Sequence, residues 1–160
     1  MYTKSVITAV TAFATLVPSI LAGKVVVSNL CKGPVYLWSV GGPDSTPMQT
    51  IWPNNTYDEN FRNPSWGGVS LKISKDTTQQ NITQLEYTLV NATVWYDISN
   101  INGDPLRNDG YKLTTNSSCP EVHCPPSNAP CNQVYNHPDD NWATHACSST
   151  ATIVFTLCAY

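Results

Sequence analysis

Leu85-Glu86-Tyr87-Thr88-Leu89-Val90-Asn91-Ala92-Thr93-Val94-Trp95-Tyr96-Asp97-Ile98 decides the fold class. Both runs in it, 85–90 and 93–98, alternate with period two, which marks half-buried strands. The same period recurs upstream in Val69-Ser70-Leu71-Lys72-Ile73-Ser74 and downstream through Ile153, Phe155 and Leu157. Lys24–Leu30 is β-branched and short. Pro34–Val40 and Gln49–Trp52 read as further strands, with Gly41-Gly42-Pro43-Asp44 and Pro53-Asn54-Asn55 as turn chemistry between them. No stretch keeps a helical period over eleven residues. The pattern is all-β, and two packed sheets are its default architecture. Asn108–Cys147 differs: rich in Pro, Asn and Cys and nearly aperiodic, it is expected to be an irregular, disulfide-pinned excursion.

The N-terminus reads as a targeting segment. Lys4 precedes an apolar stretch from Val6 to Leu21, and Ala22 offers a small residue for cleavage, so residues 1–22 are expected to be a secretory signal peptide. Residues 23–160 then form one domain, long enough for a real core. Without Lys4 the 8 basic residues fall to 7 against 11 acidic ones, a net charge of −4. No basic stripe invites nucleic acid. No later apolar run approaches the ~20 residues of a membrane span. A monomer outside the cell or in its wall is expected. Four sequons begin at Asn54, Asn81, Asn91 and Asn116 and predict a glycoprotein. The six cysteines are Cys31, Cys119, Cys124, Cys131, Cys147 and Cys158. In a secreted chain they imply disulfides, though spacing alone leaves fifteen connectivities open. A zinc knuckle at Cys119-x4-Cys124 with His123 is the competitor. His123, His137 and His145 with Asp139 and Asp140 have ligand chemistry but no standard spacing, so neither metal nor cofactor is expected.

Several segments, taken in order, carry a resemblance. They are Asn29-x-Cys31, Leu85-Glu86-Tyr87-Thr88-Leu89, Trp95-Tyr96-Asp97-Ile98-Ser99-Asn100-Ile101-Asn102-Gly103, Cys119-x4-Cys124, Cys131 and Cys147-x10-Cys158. The chain resembles small fungal thaumatin-like proteins, most of all the Blastomyces yeast-phase-specific protein family. The resemblance covers Val25 to Cys158 and implies a thaumatin-like β-sandwich. It also implies Cys31–Cys158 and Cys119–Cys147, which leaves Cys124 with Cys131.

It further implies an acidic cleft, with Glu86 and Asp97 at two of its positions. Paired carboxylates bind sugar hydroxyls or a cation; at roughly 5–9.5 Å they also serve glycoside hydrolysis. The alternative role for Asp97 is to accept backbone hydrogen bonds and hold the next loop. The cleft is eroded here. Asn102 stands where larger relatives carry Asp, Asp104 is a partial substitute, and Lys72 is the nearest counterpart of the family's arginine. Trp52, Tyr57, Trp66 and Trp142 are candidate sugar-stacking aromatics, whereas Trp38 and Trp95, inside strands, are expected to be buried. The expected function is non-catalytic recognition of a neutral cell-wall polysaccharide, β-1,3-glucan first, or of a host surface. A weak endo-β-1,3-glucanase using Glu86 and Asp97 is one alternative. A secreted effector or inhibitor of a host protein is another.

Overall fold

The computed structural model describes residues 23–65 and 67–160; the expected signal peptide and Trp66 lie outside them. Eleven strands form two sheets. One, in the order β4-β1-β11-β8-β9, is built from β4 (Thr56–Asn60), β1 (Lys24–Asn29), β11 (Thr152–Leu157), β8 (Tyr111–Thr115) and β9 (Val122–Cys124). The other, β10-β7-β6-β5-β2-β3, comprises β10 (His145–Ser148), β7 (Thr93–Ser99), β6 (Thr83–Val90), β5 (Val69–Ser74), β2 (Val35–Val40) and β3 (Gln49–Ile51). The protein is a mostly antiparallel, thaumatin-like β-sandwich. Among the named strands of the described residues, the one parallel pair is β1 with β11, with Val25 opposite Ile153 and Val27 opposite Phe155.

Period-two alternation in each strand supplies one face of the core. Val25, Val27, Leu113, Ile153 and Phe155 come from the five-stranded sheet; Leu37, Leu71, Ile73, Leu85, Tyr96 and Ile98 come from the six-stranded one, and all are essentially inaccessible. Each such aliphatic or Phe side chain contributes about 1.5–3 kcal/mol relative to exposure. Beyond the β1–β11 pair, Cys31–Cys158 joins residues 127 positions apart. In the chain-entropy model a closure of that length stabilises by about 4–5 kcal/mol. Buried Asn29 braces the entry: its Nδ2 donates to the carbonyls of Gly33 and Ile51, and its Oδ1 accepts the Cys31 N–H. Cys119–Cys147 and Cys124–Cys131 complete the bridges.

Two expectations are corrected. Asn108–Cys147 is less irregular than its composition suggests. It contains β8 and β9, and β8 lies inside the five-stranded sheet between β11 and β9. Tyr111 and Leu113 alternate inward, too briefly to stand out among the Pro and Asn around them. Trp95 is 45% exposed rather than buried. Val94, Tyr96 and Ile98 take the core side of β7, which turns Trp95 outward. Trp38 likewise sits on the outer side of β2, half-buried. Among the described residues, no helix is long and apolar enough to cross a membrane.

Candidate functional site: the outer face of the six-stranded sheet

Inward packing of Leu85 and Tyr87 on β6, Tyr96 and Ile98 on β7, and Val69 and Leu71 on β5 sends the intervening residues outward. Strand register then sets Glu86 directly opposite Asp97 on one side and Ser70 on the other. Cβ atoms of such partners lie roughly 4.5–5.5 Å apart. The carboxylates therefore stand side by side on one face. They line a depression of about 410 Å³ whose wall includes Val40, Gly42, Gly68, Ser70 and Thr88. Gly68 approaches β6 closely there, and a Cβ on it would come within 2.7 Å of the Tyr87 carbonyl oxygen.

The pair is electrostatically uncomfortable. Asp97 Oδ1 is cut off from solvent and has no hydrogen-bond partner. Burial, then the charge of Glu86, pushes the Asp97 carboxyl up to about 7. Burial also raises Glu86, against which the Ser70 hydroxyl and the Lys72 ammonium pull it back. Asp97 thus titrates near neutrality and offers a ligand both a donor and an acceptor.

Lys72 occupies the next row of the same face, opposite Gln84 on β6 and Trp38 on β2. Asn102 borders that row: its Oδ1 accepts from Gln84 Nε2 at 3.3 Å, and Gln84 Oε1 accepts the Ser70 hydroxyl at 3.1 Å. Asp104 is turned elsewhere. Its Oδ2 accepts from Arg107 Nε at 3.0 Å, its Oδ1 is buried without a partner, and it lines a separate small cavity with Arg107 and Tyr111. Glu86 and Asp97 are brought together, Lys72 and Asn102 flank them, and Asp104 stays apart.

A larger cavity, about 530 Å³, lies at the other end of the sandwich, over Leu30, Lys32, Pro34, Lys75, Tyr160 and the Cys31–Cys158 bridge. It holds none of the expected site residues, and its Lys75 is already paired with Asp109. The smaller depression has the unsatisfied chemistry, so it is the better candidate. The histidines do not converge: His123 meets Glu121, His137 meets Asp140, and His145 packs at a tilt against Tyr96. No metal-ligating cluster occurs among the described residues. The sequon residues Asn54, Asn81, Asn91 and Asn116 are all exposed, on turns or bends.

Sequence reasoning missed one cluster. Glu59 Oε2 accepts the hydroxyls of Ser39 and Tyr57, both at 2.7 Å, and Oε1 accepts that of Tyr87 at 2.6 Å. Arg62 Nε lies 3.5 Å from Oε1. Arg62 also donates to the Asp44 carbonyl, fastening the 3₁₀ turn Gly42–Asp44 beside the depression. Tyr57 therefore packs on the core rather than stacking in a loop. Alternation in Thr56-Tyr57-Asp58-Glu59-Asn60 was the available signal, masked by its polarity.

Comparison with known proteins agrees with this architecture. The family model of the Blastomyces yeast-phase-specific protein matches residues 12–159. An antigenic thaumatin-like protein of Arthroderma benhamiae is 36% identical over 99% of this chain and 85% of its own length. The secreted thaumatin-like protein calA of Emericella nidulans is 38% identical over 91% and 86%. Among solved structures, the protein elicitor MoHrip2 from Magnaporthe oryzae superposes with a TM-score of 0.74 at 26% identity, over 86% of this chain and all of that one. The thaumatin-like xylanase inhibitor TLXI, at 10% identity and a TM-score of 0.56, shares the fold. The chain is a small fungal thaumatin-like protein and belongs to the Blastomyces yeast-phase-specific protein family.

Proposed function

We propose that this protein is a secreted, non-catalytic recognition protein that binds a neutral cell-wall polysaccharide, β-1,3-glucan first among them, through the Glu86–Asp97 face. One observation carries the reading: two adjacent carboxyl groups line an open depression. A buried polar atom without a partner costs about 1–3 kcal/mol. Sugar hydroxyls, each of which donates and accepts, would pair with the carboxyl oxygens that face the depression, and would reach the buried Oδ1 only if the Asp97 side chain turned. The net charge of −4 over residues 23–160, 7 basic against 11 acidic, disfavours anionic polysaccharides. The relatives named secreted and elicitor support an extracellular setting, and the elicitor also keeps a host surface in view as the target.

Hydrolysis fits the geometry less well. Glycosidase carboxyls flank the scissile bond, whereas cross-strand neighbours on one open sheet meet a ligand from the same side. The test is retention of purified protein on insoluble β-1,3-glucan together with release of reducing ends from laminarin. Retention without turnover is expected, weakened by Glu86→Gln and by Asp97→Asn. Sustained hydrolysis by the parent, abolished in either variant, would overturn the reading.

A further inference from the structure

The four sequons share one chemistry but not one setting. Asn81 Oδ1 accepts the Asp104 N–H, and Asn116 Oδ1 accepts the Thr152 N–H, so both side chains fasten loops. The hydroxyl of Thr83, which completes the Asn81 sequon, is buried and donates to Asn100. Asn91 sits in the turn of the β6–β7 hairpin, next to aliphatic Val90. Asn54 differs from all three. Its side chain is exposed and has no hydrogen-bond partner among the described residues, and its neighbour at position 52 is an aromatic ring.

Trp52-Pro53-Asn54-Asn55 is a tight turn between β3 and β4. The Trp52 carbonyl accepts the Asn55 N–H at 3.0 Å, Pro53 takes the second position, and Asn54, at φ 63°, takes the third. This is the type II pattern, whose third position suits Gly or Asn. Two bonds pin the turn to the end of β1. The Asn54 N–H donates to the Asn29 carbonyl at 2.7 Å, and the Asn55 carbonyl accepts the Asn29 N–H at 3.0 Å. Turn chemistry alone accounts for Asn54. It does not account for Trp52, which stands 59% exposed. The two residues are two apart, so their Cα atoms lie within about 7 Å. A group attached to the Asn54 amide therefore starts within reach of the indole. Thr56, two residues further on and exposed, supplies the hydroxyl that the acceptor tripeptide requires.

We infer that Asn54 carries an N-linked glycan whose first sugar packs on the Trp52 indole. In the transfer, Asn54 Nδ2 forms a bond to C1 of an oligosaccharide. The C1–O bond to a polyprenyl diphosphate carrier breaks, its electron pair leaves with the diphosphate, and the amide gives up one proton. The amide-linked N-acetylglucosamine lays a C–H face on the ring and keeps its hydroxyls in solvent. Trp52 is then covered by the chain's own sugar instead of binding an external one. This modification needs passage through the secretory pathway and is independent of polysaccharide binding at Glu86 and Asp97.

The experiment uses the full chain secreted from a fungal host, its glycans trimmed by an endoglycosidase to one sugar per occupied site. Glycopeptide mapping is expected to find Asn54 occupied. Proton NMR is expected to place the protons of that sugar upfield of their values in the unfolded glycopeptide, because they lie over the indole. Thr56→Val removes the sequon but leaves Asn54 in its left-handed position. It shifts the folding equilibrium about two- to ten-fold toward the unfolded state, the scale of a contact on an aromatic face, and has little effect in a Trp52→Ala background. Thr56→Ser keeps the sequon and behaves like the parent. An unmodified Asn54 overturns the inference, as does a Thr56→Val effect of the same size with and without Trp52. Sugar protons at unperturbed shifts overturn it too, and that measurement needs no variant to fold.

Discussion

Glu59 and Asp97 are both carboxylates set into strands of one sandwich, and their surroundings are opposite. Glu59, with a side chain only 12% exposed, receives three hydroxyl hydrogen bonds and faces Arg62. Asp97 faces a second carboxylate and leaves Oδ1 without any partner. The first arrangement ties the β4 edge of one sheet to β2 and β6 of the other. The second leaves one oxygen buried and unpaired in a residue that lines an open depression. A buried charge with a full set of donors reads as structure; one lacking them reads as a place for a ligand.

That contrast is open to attack, first through stability. Glu59→Ala strands the Arg62 charge and three hydroxyls, so a loss of about 3–5 kcal/mol is expected in urea unfolding. A loss below about 1 kcal/mol would break the comparison. Asp97 should behave in the reverse sense. Its folded-state value near 7 lies above the ordinary aspartate value of 3.8, so the folded state holds more protons than the unfolded one between them. Its contribution to stability is best at low pH and declines as pH rises from about 4 to beyond 7. The shift corresponds to about 2–4 kcal/mol between pH 4 and pH 8. Asp97→Asn should flatten that decline and be the more stable protein at pH 8. A variant less stable than the parent at pH 8 would place Asp97 with Glu59.

Smaller effects sharpen the same line. Tyr87→Phe removes one donor to Glu59, and a loss of about 1.5–3 kcal/mol is expected, as for hydrogen bonds to charged groups. Equilibrium unfolding of the variant measures it, and an unchanged midpoint would show that Glu59 does not need this donor. Asp104→Ala is expected to leave retention on glucan within about two-fold of the parent, because Asp104 faces Arg107 in a separate cavity. A loss equal to that of Asp97→Asn would return Asp104 to the binding face.

Glu86 and Asp97 were legible in the sequence because they stand inside two strongly alternating runs within motifs of recognisable order. Glu59 and Arg62 were not. Their neighbours Asp58 and Asn60 are polar, and the partners Ser39 and Tyr87 lie 20 and 28 positions away. Asp104 shows the opposite failure. Two residues from Asn102 in sequence, it is carried off the face because Gly103, at φ 132°, lets the chain turn against Asn81, whose Oδ1 accepts the Asp104 N–H. A Cβ at Gly103 would come 2.8 Å from the Asn81 Cα. Trp95 was misplaced because hydrophobic character suggests burial, whereas the parity of its strand decides the side.

Period-two patterning, turn chemistry and the order of the cysteines determined the fold class and the strands that carry the acidic pair, because these properties are local or nearly so. Register and packing decided the rest. Only pairing of β6 with β7 sets Glu86 beside Asp97, and only closure of the sheets adds Ser39 and Tyr87 to the local partners of Glu59, Tyr57 and Arg62. The physical reason is that the energy of a charge depends on donors, solvent and neighbouring charges within a few ångströms. In a sandwich dominated by long-range strand pairs, those neighbours come from distant parts of the chain.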